Sequence, residues 1–184
     1  MHTDKYLQEA KILFASGQLE KSIDVFTRAY EKGCDPCAVC LCRGAAAMAL
    51  GRYQEAEKDF TRVLQEDTQN ERAHYYRGLA RAALGEYQQA IDDLTFSLTR
   101  NHDRGIAHLV RGLAYTELGQ KKFAALDFNT AAAFSAAELK SFKKLFGNNK
   151  VAFQNANALM AKENAPWNNL LSTEDAEKLC NLLQ

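Results

Sequence analysis

Proline is nearly missing from this chain, neither charge is in excess, and no long apolar run occurs. Only Pro36 and Pro166 appear in 184 residues. Because proline removes a backbone donor and breaks helix interiors, almost the whole chain is free to be helical. Lys plus Arg number 23 and Asp plus Glu number 23, for a net charge of zero. That balance removes the whole-molecule pull on nucleic acid or anionic membrane, which rests on surplus Lys and Arg. No stretch approaches the ~20 apolar residues that span a bilayer. The polar start MHTDKYLQEA lacks the apolar core of a secretory signal. A soluble, cytoplasmic protein is the expectation. Five cysteines are present, four of them between residues 34 and 42, which does not resemble the disulfide framework of a small secreted domain. Reduced thiols are therefore expected.

What the chain does have is a period. Gly17, Gly51, Gly85 and Gly119 stand 34 residues apart without a slip. Seven residues before each lies a small residue, Ala10, Gly44, Gly78 and Gly112, and five residues after each lies Ser22, Ala56, Ala90 or Ala124. Phe26, Phe60, Leu94 and Phe128 follow four residues later. Small residues let two helices approach and the large apolar residue fills the space between helix pairs. Each glycine reads as a left-handed cap that closes a first helix. First helices are expected near 3–16, 37–50, 71–84 and 105–118, and second helices near 19–32, 53–66, 87–100 and 121–135. Asp35, Asn70 and Asp103 read as N-cap signals.

On these residues, seen in ARAALGEYQQAIDDL and LAYTELGQKKFAALDF, the chain resembles the tetratricopeptide repeat family, over residues 3 to about 136. The resemblance implies an all-α fold: a right-handed superhelix of four helix pairs with a concave face lined by first helices. The expected repeats are 3–36, 37–70, 71–104 and 105–136, followed by a capping helix at 137–147. A C-terminal extension, 148–184, would carry a last helix near 173–183 and pack back on the array, inside the groove or along its outside. The sequence departs from the family pattern at the first aromatic slot, which holds Tyr6 and then Cys40, His74 and His108. The closing proline is also missing after repeats two and three.

Arg43, Arg77 and Arg111 precede the small residue of repeats two to four, and Asp59, Asp93 and Asp127 follow 16 residues later. Repeat one has Glu9 and Val25 in these slots, so both members are absent together. A half-buried charge needs a partner. An ion pair is therefore expected, either within a repeat or from a second helix to the next first helix.

The family's inward slots give a mostly apolar face. Leu41, Met48, Tyr75, Tyr76, Leu79, Leu109 and Leu113 are its candidate anchors, with Arg72 and Lys11 at the rim. The carboxylate clamp of heat-shock co-chaperones in the family maps onto Leu7, Lys11, Cys42, Arg72 and Tyr76. Starting from repeat two it maps onto Leu41, Ala45, Tyr76, Ile106 and Val110. Neither set can grip an anion, so acidic chaperone tails are not the expected ligand.

CDPCAVCLC has the two-residue spacings of some metal sites, but the repeat places Cys37 to Cys42 in a helix, where their side chains diverge. Small buried hydrophobes are the simpler reading, with a metal or redox site as the alternative. His74 and His108 read as core packing. No catalytic constellation, cofactor site or metal site is expected. The chain reads as a non-enzymatic module that binds another protein, as a peptide or amphipathic helix, in an apolar groove. The alternatives are a structural subunit or assembly factor whose groove is filled by its own extension, a secretion chaperone, and a thiol sensor. Nucleic acid is not an expected partner, and the oligomeric state is left open.

Overall fold

A computed structural model describes residues 3–132, and every element in this range is a helix. The eight are α1 (Thr3–Ala15), α2 (Leu19–Glu31), α3 (Pro36–Ala49), α4 (Tyr53–Glu66), α5 (Glu71–Leu84), α6 (Tyr87–Arg100), α7 (Gly105–Glu117) and α8 (Lys121–Ala132). The capping helix at 137–147, the extension 148–184 and its last helix near 173–183 lie outside the described residues, as do positions 133–136 of the fourth repeat.

The 34-residue ruler acts through one local motif. At Gly85, φ is +82°, its N–H donates to the Ala82 carbonyl and the Glu86 N–H donates to the Arg81 carbonyl. The same paired bonds close α1, α3 and α7 at the equivalent glycines, so each first helix stops where the period says it must. Asp35 and Asn70 accept bonds from the first-turn N–H groups of α3 and α5. Asp103 does not cap α7. Arg104 occupies that position without a side-chain cap, since a guanidinium has no acceptor to offer the first-turn N–H groups, and it reaches instead to Glu71 on α5.

Each helix packs on the next, and each first helix also touches the following first helix, α1 to α3 to α5 to α7. Successive second helices stand further apart, so the stack curves toward the first helices. The small slots are required sterically. A Cβ added at Gly44, Gly78 or Gly112 would lie 2.7 Å from Phe60, Leu94 or Phe128, well inside the ~3.5–4.0 Å of carbon contact. Ala10 and Phe26 begin the same series, and Phe26, Phe60, Leu94 and Phe128 are fully buried.

Candidate functional site

Two features lie on this scaffold: a buried ionic ladder that sets the helix spacing, and the inner surface it presents. In the ladder, Arg43 on α3 donates from Nε to Asp59 Oδ2 at 2.8 Å and from Nη2 to Oδ1 at 2.6 Å. Its Nη1 donates to Thr27 Oγ1 on α2 at 3.2 Å. Arg77 does the same to Asp93 and Thr61, and Arg111 to Asp127 and Thr95. The ion pair therefore lies within a repeat, and the third arm of each fork reaches back to the preceding repeat's second helix. Three helices are tied by one planar side chain, which a lysine could not do. The bond to Asp59 holds the Arg43 guanidinium above its ordinary range.

Repeats three and four add partners to the ladder. His74 Nδ1 lies 2.8 Å from Asp93 Oδ1 and its Nε2 lies 3.1 Å from the Thr68 carbonyl. His108 repeats this with Asp127 at 2.8 Å and the His102 carbonyl at 3.2 Å. Arg81 donates to Asp93 at 2.9 Å and to Glu57 at 2.9 Å. Asp93 thus accepts four bonds, Asp127 three and Asp59 two. One repeat earlier, Ala47 and Ile23 stand where Arg81 and Glu57 do. There a cleft of about 560 Å³ opens, lined by Ile23, Thr27, Arg43, Ala47 and Asp59 among others.

The structure separates the nine sequence-derived groove residues into two sets. Met48, Tyr75, Leu79 and Leu109 are 4 to 6% exposed and belong to the main core. In this conformation they pack in the core and are not presented on the inner surface. Tyr75 and Leu109 are turned into the core while Leu41 of the same row is only half-buried, and Arg104 closes over the Tyr75 ring at 4.2 Å while donating to Glu71 at 2.9 Å. Leu41, Tyr76 and Leu113 are half-buried, and Lys11 and Arg72 are exposed. The neighbouring row of Cys42, Tyr76 and Val110 is half-buried throughout.

Tyr76 is held firmly. It stacks on Phe60 with ring centroids 5.5 Å apart and meets Tyr75 edge-on at 5.0 Å. Burial pushes its hydroxyl pKa up, while Arg104 and Arg72 pull it down. Burial also raises the Cys42 thiol, against Lys11. These opposing influences place cationic side chains around the Cys42–Tyr76 surface, and sequence inspection had no means of ranking that row above its neighbour.

The four described cysteines fall in two packing clusters, Cys34 and Cys42 in one and Cys37 and Cys40 in the other. Among the described residues no group of three His, Cys, Asp or Glu side chains could hold a metal ion. No helix in this range is long and apolar enough to cross a membrane.

A tetratricopeptide repeat family model matches residues 43–95. No curated protein matches the sequence. Among solved structures, a MamA protein is 19% identical with a TM-score of 0.69, over 97% of this chain and 94% of that one. MamA from Desulfovibrio magneticus RS-1 is 18% identical with a TM-score of 0.67, over 98% and 93%. A thermophilic tetratricopeptide repeat protein of Thermus thermophilus, TTC0263, is 21% identical with a TM-score of 0.59, over 96% and 98%. At these identities the likeness is one of fold. The matched segment is a tetratricopeptide repeat, and the four in-phase helix pairs share the fold of these solved structures.

Proposed function

We propose that this interaction module binds a peptide or amphipathic helix of another protein against the inner surface of α1, α3, α5 and α7, without catalysing a reaction. The observation that carries the reading is the half-buried row Cys42, Tyr76 and Val110 beside Leu41 and Leu113. It is a continuous apolar strip on rigid helices, with a ring already ordered by stacking on Phe60. Ordered aromatic side chains lose little entropy on binding and serve well as anchors. Exposed Lys11 and Arg72 flank the strip, which favours a partner segment with apolar residues next to a carboxylate. A helix laid in such a groove would meet the strip with residues spaced at i, i+3, i+4 and i+7. The free thiols of Cys37, Cys40 and Cys42 suit a reducing compartment, the cytoplasm.

The test is affinity capture with wild-type protein and two variants, Tyr76→Ala on the inner strip and Lys58→Ala on the outer face of α4. The expected result is a partner retained by wild type and by Lys58→Ala and reduced about tenfold by Tyr76→Ala, the change that follows from losing about 1.4 kcal/mol. A partner insensitive to Tyr76→Ala but lost with Lys58→Ala would move the site to the outer face and sink the proposal.

A further inference from the structure

The second helices share a pattern of exposed slots that α8 breaks. The third and sixth residues of each second helix are Lys21 and Asp24, Glu55 and Lys58, Gln89 and Asp92, then Phe123 and Leu126. The first three pairs are polar and exposed. In α8 the same slots are apolar and remain 58% and 65% exposed. Phe123 leans on Tyr115, with ring centroids 5.3 Å apart, which leaves its outer face presented.

Continuation of the stack would not cover this patch. Glu55 and Lys58, and Gln89 and Asp92, stay exposed although a further helix pair follows each of them. The occupant must approach from outside the array. Charge indicates its character: Lys121 and Lys122 border the patch, and the one acid of α8, Asp127, is buried against Arg111. A segment with leucines beside carboxylates is complementary.

The chain carries such a segment. Residues 173–184, TEDAEKLCNLLQ, hold Glu174, Asp175 and Glu177 against one lysine, with Leu179, Leu182 and Leu183 as an apolar stripe. The nearer stretch 137–147 bears Lys140, Lys143 and Lys144 and would be repelled. Forty residues separate Ala132 from Thr173. A chain of that length spans roughly 35 Å on average, enough to return to α8, and tethering raises the local concentration to the order of millimolar. A lone twelve-residue helix is marginal in water, so its docking and ordering would be coupled.

We propose that segment 173–184 docks on Phe123 and Leu126 of α8, on the outside of the array, leaving the inner strip to a partner. Native Cys180 provides the probe. In the full chain carrying Asn129→Cys, one helical turn past the patch on its exposed side, mild oxidation should form an intramolecular disulfide with Cys180 in the monomer fraction, identified by peptide mass. Cys180→Ala abolishes it. Phe123→Gln with Leu126→Asp, the residues repeat three already tolerates, should lower the yield about tenfold while the circular dichroism stays unchanged. No disulfide, a disulfide insensitive to that double substitution, or one found only between chains would each overturn the proposal. None of these results depends on whether Tyr76 binds a partner, so the two readings fail independently.

Discussion

Removing the charge from one aspartate in each of three equivalent repeats should cost three different amounts. Asp59, Asp93 and Asp127 occupy one slot on α4, α6 and α8, all are buried, and each receives the same two-pronged arginine. They differ in what else they hold. Asp93 also takes bonds from His74 and Arg81, Asp127 from His108, and Asp59 has Cys40 and Ala47 in the corresponding places. An Asp→Asn change keeps the volume and removes the charge, stranding the partners. Breaking a buried pair from one side costs about 3–5 kcal/mol, and Asp93→Asn, which strands Arg77 and leaves Arg81 only Glu57, belongs at the top of that range. Asp59→Asn strands one guanidinium beside the open cleft, and about 2 kcal/mol is expected from the worth of charged hydrogen bonds. Asp127→Asn should fall between. Urea unfolding followed by far-ultraviolet circular dichroism gives the three values. A double-mutant cycle between Asp93→Asn and Arg81→Ala should show about 0.5–3 kcal/mol of coupling. Equal losses at the three positions, or no coupling in the cycle, would refute the claim that the added partners bear on the carboxylate.

Two further outcomes follow from the same ladder. Introducing Ala47→Arg together with Ile23→Glu rebuilds in repeat two the bridge that Arg81 makes in repeat three, filling the cleft of about 560 Å³. Stability should rise by about 1 kcal/mol, the net worth of a well-made hydrogen bond, and a lower melting temperature than wild type would show that the cleft cannot accept the guanidinium. Burial, reinforced by Asp59, pushes the Cys40 thiol from 9.0 up to about 11. A group whose folded pKa is raised stabilises fully below its unfolded pKa, so that stability should drain away as pH climbs from 9 toward 11. Cys40→Ala should flatten the difference across that window, and identical alkaline profiles would contradict the assignment.

The helix boundaries were legible to within about a residue because the signal that sets them is local. A glycine at positive φ closes a helix whatever packs on it, and each of the four does. The Arg–Asp pairing was legible too, because both members are missing from repeat one together. Its third arm was not. Thr27, Thr61 and Thr95 share the 34-residue period, but threonine is common on helices and nothing local marks it as an acceptor. His74 and His108 were read as packing in an aromatic slot, and their constant separation of 19 residues from Asp93 and Asp127 was the available clue. Which inner-face residues stay accessible was not legible, for a different reason. Residues 75 and 76 differ by about 100° of helix rotation. Which of the two turns under the next first helix depends on superhelical twist, and the Arg104 that closes over Tyr75 arrives from the end of the repeat, just ahead of α7.

The ladder also grades the array along its length, and that grading bears on how a partner would act. Repeat one has neither the arginine nor the aspartate. Among the described residues no ion pair ties α1, which is held by Leu7 and Ala10 packing on Phe26, Ala29 and Val39. The Arg52–Glu20 pair that ties α2 to the start of α4 is exposed and contributes little. Repeat three carries the four-bond hub. In a quasi-one-dimensional array each pair is stabilised mainly by its neighbours, so opening starts at the end with the fewest ties. Here that is α1 and α2. Lys11, one of the two cations beside the inner strip, sits on α1. A segment bridging Lys11 to Tyr76 and Leu113 would therefore clamp the most labile pair onto the most firmly tied ones, and its binding would appear as protection of α1 amides from exchange, well away from the strip's centre on α5.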